Sequence, residues 1–235
     1  MCAASFALLP GSSEEAYTEI EEMEAKKARP GSELKHGRYE SKDSNGNLKS
    51  VVNYQYGKKH GVSYLYYPNG KVHLEMSYHT NLREGTSRKY YKTGELYATT
   101  PYVNNKIEGL RKTFYESGTL RASVPYHNSW PGMGLQEFKA NGSKRALHLG
   151  IQVRKEGNVW MFKAEEPCRK ATYYLGNLVD GQYLDKNRLV PLKSTGDGAV
   201  LDVKEAGGES KLNDLEIICR CTTAQNNPLI LSRKL

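Results

Sequence analysis

Four cysteines and six histidines are the side chains of this 235-residue sequence best suited to metal binding or nucleophilic attack. Cys219 and Cys221 are two apart, so on a strand they share a face and either can reach Cys168. A disulfide from Cys168 to one of them suits an exported protein, and buried free thiols are the alternative. The zinc reading is poor, because Cys-x-Cys lacks the usual two-residue spacer and no second ligand pair stands at finger spacing. His36 and His60 both precede a glycine of the repeat described below, which accounts for their recurrence, and His73, His79, His127 and His148 fall into no ligand spacing. Glu14-Glu15, Glu21-Glu22 and Glu165-Glu166 are explained by solvated helix faces or a loop. Gly-x-Ser-x-Gly, His-Glu-x-x-His and phosphate-loop motifs are absent. The expectation is a protein without catalysis, cofactor or metal.

What must position side chains here is an unusual surface. Tyrosine dominates the aromatics, with 17 Tyr against 4 Phe and 2 Trp, a balance suited to half-buried sheets whose rings pack while their hydroxyls stay wet. The formal charge of +8 suits an acidic protein or an anionic lipid surface. Nucleic acid is not expected, since the cations are interspersed with acids and no recognised motif occurs. No apolar run of about 18 residues is present. Met1 to Pro10 are apolar but lack a basic start, so residues 1–11 read as a signal remnant, a flexible terminus, or the start of a lipoprotein lipidated at Cys2. The periplasm is the expected location, with the cytoplasm as alternative. Residues 12–30 hold a short predicted helix. Ser12 and Glu15 form a capping box, Lys26 and Lys27 close the last turn, and Ala16, Ile20 and Met23 share a face able to dock on the first repeat.

From Gly37 a period of 24 residues begins. Gly37, Gly61, Gly85 and Gly109 keep this step, as do Gly46, Gly70, Gly94, Gly118 and Gly142, and as do Tyr54, Tyr78, Tyr102 and Tyr126. Five units over 37–142, within a repeat region of residues 31–149, are therefore expected. In the second unit Val62 to Tyr67 is one strand run, Pro68-Asn69-Gly70 a turn, and Val72, Leu74, Met76 and Tyr78 a single face of the next strand. Asn-Gly joining two such runs predicts a two-residue hairpin loop with both residues at positive φ. Leu48, Val72, Leu96 and Leu120 form the predicted inward column, and Lys144 in the fifth unit marks where regularity ends. At two strands per unit and about 4.8 Å per strand, the ribbon would be on the order of 50 Å long.

The stretch from Gly61 through Tyr64, Tyr66, Tyr67, Asn69-Gly70 and Val72, closed by Gly85, closely resembles the variant MORN repeat of bacteria, over a little under half of the chain. The resemblance implies an elongated antiparallel meander of hairpin repeats; with the helix read at residues 12–30 and the alternating segments after residue 150, the expected fold is mainly β with a short N-terminal helix and a small β-rich C-terminal domain. It also implies a function by analogy. Bacterial proteins with this repeat are often labelled antitoxins of toxin–antitoxin or effector–immunity pairs, whereas eukaryotic MORN proteins resemble scaffolds, some of them membrane-associated.

Residues 150–235 carry no recognised pattern. Val159 to Phe162, Ala171 to Leu175, Gly181 to Leu184, Ala199 to Val203 and Leu215 to Cys221 are predicted strands, with loops at Lys193 to Gly198 and Glu205 to Lys211, and Trp160 and Phe162 should anchor a core. The functional expectation is an immunity protein that occludes the active site of a cognate secreted toxin, such as a type VI hydrolase or lipase. Its candidate contacts are Tyr64, Tyr66, Arg88, Tyr90, Arg111, Phe114 and Trp130, chosen because Tyr, Trp and Arg concentrate interface energy. The alternative is a MORN-type scaffold or peripheral membrane protein whose basic face meets anionic lipid.

Overall fold

The computed structural model describes residues 34–147, 150–165, 168–196 and 198–235. The predicted helix, Cys2, His148 and Glu166 lie outside the described residues. Among the described residues the protein is mainly β, with two 3₁₀ turns as its helical content.

The first repeat comprises β1 (Gly37–Lys42), β2 (Leu48–Gln55) and the short β3 (Lys58–Lys59). The second comprises β4 (Gly61–Tyr66), β5 (Val72–His79) and β6 (Leu82–Arg83), and the third β7 (Gly85–Tyr90), β8 (Leu96–Val103) and β9 (Lys106–Ile107). The fourth is β10 (Gly109–Phe114), β11 (Leu120–His127) and β12 (Trp130–Pro131), and β13 (Gln136–Glu137) is what the fifth unit retains of its first strand. All join one 13-stranded antiparallel sheet in chain order.

The turns differ from the expected type for a geometric reason. In the second repeat Tyr67 N–H donates to the Lys71 carbonyl at 2.8 Å and Gly70 N–H donates to the Tyr67 carbonyl at 2.9 Å, which closes a three-residue loop. Gly70 alone sits at positive φ, +80°, while Asn69 stays out of that region and accepts the Lys71 N–H at 3.1 Å. This is a type I turn followed by a left-handed glycine, and the extra residue shifts the register between Leu65 and Tyr66. The same shift recurs after Ser41, Lys89 and Thr113. Two-residue loops with both residues at positive φ do occur, but between each repeat's long strand and its short last one, at Tyr56-Gly57, Thr80-Asn81, Asn104-Asn105 and Asn128-Ser129.

The register shift also corrects the inward column. Leu48, Val72, Leu96 and Leu120 pair with Lys42, Tyr66, Tyr90 and Phe114 beside the bulges, and all four are only half-buried. Val72 therefore does not simply continue the alternation of Leu74, Met76 and Tyr78. In β5 seven of eight positions are half-buried and none is fully buried, because no other layer among the described residues covers either face of the early ribbon. Small residues, including Val51, Ser63, Ser87, Ala98 and Thr113, fill its tightest points.

The real core lies at the other end. β14 (Ile151–Glu156), β15 (Val159–Ala164), β16 (Arg169–Gly176), β17 (Val190–Pro191), β18 (Lys193–Thr195), β19 (Gly198–Asp202), β20 (Glu216–Thr222) and β21 (Pro228–Lys234) form two four-stranded antiparallel sheets, ordered β14-β15-β19-β18 and β17-β16-β20-β21. Trp160 and Phe162 are buried together on β15, as expected, against Tyr173, Ile217, Cys219, Leu229 and Leu231. Ala122, Val124 and Leu135 of the ribbon belong to the same cluster. The opposite face of the second sheet buries Tyr174, Ile218 and Ile230 with Leu178, Leu184 and Leu189. Two-sided burial explains the unbroken apolar runs around Ile217-Ile218 and Leu229 to Leu231. Gly181 to Leu184 is no strand: Tyr183 makes isolated bridges to Gly132 and Val179, and the segment packs across the ribbon's end. Lys193 to Thr195, expected as loop, pairs as β18 with β19.

Candidate interaction surfaces

Three ladders with the repeat's period make the ribbon rigid. At one margin each two-residue tip rests on the tip before it. Asn81 N–H donates to the Lys59 carbonyl at 2.9 Å while Lys59 N–H donates to Asn81 Oδ1 at 2.8 Å, and Asn105 with Arg83 repeats this exchange. Ser129 takes the asparagine's place against Ile107. Near the other margin the tyrosine that follows β4, β7 and β10 donates its hydroxyl to the next repeat: Tyr67 to the Tyr90 carbonyl and Tyr91 to that of Phe114, both at 2.7 Å, and Tyr115 to that of Phe138 at 2.8 Å. The third ladder sets a cation over each recurring tyrosine: Lys35 over Tyr54 at 5.1 Å, Lys59 over Tyr78 at 5.2 Å and Arg83 over Tyr102 at 4.4 Å. Ile107 holds that position in the fourth repeat, where Tyr126 turns toward the core and burial raises its phenol pKa.

Most of the residues expected as contacts share one face. Tyr64 is opposite Glu75, and Glu75 is opposite Arg88. Arg88 donates to Glu75 at 2.7 Å and the Tyr90 hydroxyl donates to the same carboxylate at 3.2 Å, while Tyr66 stacks near Tyr64 with ring centres 6.3 Å apart. Burial, then the Glu75 charge, pushes the Tyr90 phenol pKa up. Phe114 follows Lys112 on this parity. Arg111 does not: it pairs with buried Val124 and so points to the opposite face, near Tyr126. The strand alternation contains that difference once the register is known.

Trp130 is elsewhere again. It closes the last tip opposite His127 and packs its ring on the Leu178, Leu184 and Leu189 cluster. Together with Lys106, His127, Tyr183, Asp185 and Arg188 it lines a cleft of about 580 Å³ between the ribbon's end and residues 178–188. Nothing in the local sequence pairs Tyr183, Asp185 and Arg188 with Lys106, His127 and Trp130. His127 Nδ1 lies 2.8 Å from Glu108, whose carboxyl pKa is lowered by the Asn128 N–H and then by His127.

The cleft exists because the tip ladder is taken over by another part of the chain. Pro131 stands where Lys59, Arg83 and Ile107 donate, and proline has no N–H. Its carbonyl still accepts, and Leu184 N–H fills the place of the next tip at 3.1 Å. Met133 N–H donates to Gln182 at 2.9 Å, and Tyr183 approaches so closely that a Cβ on Gly132 would lie 2.7 Å from its ring. At the middle of the sheet the buried Glu137 accepts from Thr223 Oγ1 and, at 2.7 Å, from Asn227 Nδ2. Gln225 in the same turn accepts from Arg121 at 3.3 Å and donates to the Tyr115 hydroxyl at 3.4 Å.

The three described cysteines resolve to one bond, Cys168 with Cys221, leaving Cys219 as a buried thiol. The three sulfurs lie within 4.8 Å of one another, but with two of them joined only one donor remains, too few for a tetrahedral zinc site. His60 and His79 face each other with rings 5.1 Å apart, and His73 stacks at 4.4 Å on Tyr67, where burial and then Lys89 lower its pKa. His60, His73 and His79 thus pack within the repeats. His36, in the same way, lies edge-on to Tyr56.

No curated protein matches this sequence. Residues 35–56, 59–79, 83–104 and 107–128 match the family model of the MORN repeat variant. The four matched segments end at the fourth tip, where the fifth unit keeps its Asn141-Gly142 turn but pairs only through β13 and the Phe138–Lys144 bridge. The ribbon thus contains four segments that match the MORN repeat variant, followed by a C-terminal unit that the match does not cover.

Proposed function

We propose that this protein works by binding alone and that its partner is a cognate secreted toxin, neutralised by occlusion of its active site. The observation that carries this reading is the face bearing Tyr64, Tyr66, Arg88 and Tyr90 around Glu75, already hydrogen-bonded before any partner arrives. A surface of rigid aromatics and a pre-paired arginine gives up little side-chain entropy on association. The MORN repeats support a binding scaffold. The periplasm is the compartment we assign, since the Cys168–Cys221 bond suits oxidising surroundings.

The test starts from the genes beside this one. A neighbour encoding a secreted hydrolase or lipase should yield a product that co-purifies with this protein and is non-toxic when the two are co-expressed. Replacing Tyr64 and Tyr90 together with alanine should weaken that complex by about tenfold or more. Absence of a complex and of protection overturns the reading.

One observation favours a second reading. Lys35, Lys59 and Arg83 form a row of cations at a step of two strands, roughly 10 Å, along one margin of the ribbon. Such a row suits an anionic bilayer. Co-sedimentation with anionic vesicles that weakens as salt rises would support it, and salt-independent or absent binding would reject it.

A further inference from the structure

We infer that the cleft between the fourth tip and residues 178–188 is a receptor for an acidic side chain, an Asp or Glu carried on a loop of a protein partner. This deepens the binding reading above and rests on it.

The inference begins from charge. Lys106 and Arg188 stand on opposite walls, one on β9 and the other ending the 3₁₀ turn Lys186–Arg188, and both are exposed. Asp185 is the one acid in the lining, and its carboxylate caps that turn by accepting the Asn187 N–H at 3.0 Å. Its lone pairs are thus partly engaged, whereas Lys106 spends one of its three donors, on Asn128 Oδ1 at 3.1 Å. His127 is oriented by Glu108, and its ring lies 5.4 Å from the Tyr183 ring. The lining thus has donors to spare for an anion.

Shape then selects the kind of anion. Trp130 and Tyr183 supply apolar walls able to hold the methylene stem of a side chain, with the cations at the rim to meet its end. A volume of about 580 Å³ fits a few side chains and lies within the range of ligand sites. The recess is bounded by two segments held to each other by backbone bonds, Leu184 to Pro131 and Met133 to Gln182. It is therefore formed before a ligand arrives. A projecting loop can enter such a recess, while a bilayer surface meets the cation row on the open ribbon more readily. The net charge of +8 favours approach of an acidic partner.

The experiment uses the full chain and the fluorescence of Trp130, since Trp160 is buried beneath Lys155 and supplies a constant background. The probes are a blocked tetrapeptide containing Leu-Glu and its Leu-Gln analogue. A saturable change is expected with the acidic peptide. It should be at least about tenfold weaker with the amide, and equally weakened by the double substitution Lys106→Glu, Arg188→Glu, the loss of a charge-assisted hydrogen bond. Both sites are exposed, so the urea midpoint of the double variant should equal the parent's and show that it is folded. Equal binding of the two peptides, indifference to charge reversal, or no saturation with the acidic peptide overturns the inference. So does a Trp130 response to phosphatidylglycerol vesicles without one to peptide, which would give the cleft to lipid. A toxin that still binds the charge-reversed protein at parental affinity would remove the cleft's role and leave the occlusion reading standing.

Discussion

A buried side chain advertises its surroundings through its chemistry, and Cys219 does so most clearly. It is fully buried beside the Cys168–Cys221 bond, and burial pushes its thiol up to about 12, partly offset by a hydrogen bond with Tyr173. The thiolate is the reactive form, so native Cys219 should resist iodoacetamide at pH 8 and react fully once the chain is unfolded in guanidinium. Rapid labelling of the native protein would contradict the burial. The pH dependence has a definite sign. Because the folded pKa is raised, the stability of the neutral buried thiol is intact below pH 9 and is eroded as pH rises from about 9 toward 12. Cys219→Ser should keep the disulfide, since Cys221 is its partner.

At the scale of the element, the repeat is defined by what it offers its neighbour. The hydroxyls of Tyr67, Tyr91 and Tyr115 donate to the following repeat's carbonyl, which calls for tyrosine rather than phenylalanine at these three positions. Tyr91→Phe should cost about 1 kcal/mol and lower the melting temperature by about 2–4 °C. Tyr64→Phe removes a hydroxyl from the open face rather than from this ladder, and calorimetry should find it within about 0.5 kcal/mol of the parent. Equal losses in the two variants would show that the ladder contributes nothing beyond ring packing. The ladder was only partly legible in sequence: the tyrosine columns were plain, but a column gives no direction. The turn chemistry was misassigned because Asn-Gly fits both a two-residue loop and the end of a three-residue one. Only the Tyr67 and Gly70 hydrogen bonds distinguish them.

The molecule as a whole solves the problem of ending a repeat array. Each repeat leaves carbonyls and hydroxyls for the next; after the fourth, the Phe138 carbonyl accepts from Tyr115, Leu184 N–H donates to Pro131, and the Thr223–Asn227 turn donates to Glu137. Glu137 is the centre of that closure. Glu137→Ala leaves two buried donors unpaired, and the urea midpoint should fall by the equivalent of about 3 kcal/mol. Limited proteolysis should then cut the 178–188 segment first. Gly132→Val, which forces a side chain onto Tyr183, should release the same segment while leaving repeats one to three as protected from hydrogen exchange as before. Uniform loss of protection across the ribbon would show instead that closure and repeats unfold as one unit.

Local spacing was enough for the sequence to declare the repeats, the antiparallel hairpins, the buried Trp160 and Phe162, and a surface rich in tyrosine. Each of those follows from residues within a few positions of one another or from one period repeated. The tertiary structure alone decided that Cys221 rather than Cys219 bonds Cys168, and that the C-terminal unit shares a core with the ribbon. It also brought His127 and Trp130 to Tyr183 and Arg188. The closing contacts join Glu137 to residues 86 and 90 positions away. No periodicity carries such pairings, because they depend on how two surfaces fit after both have folded.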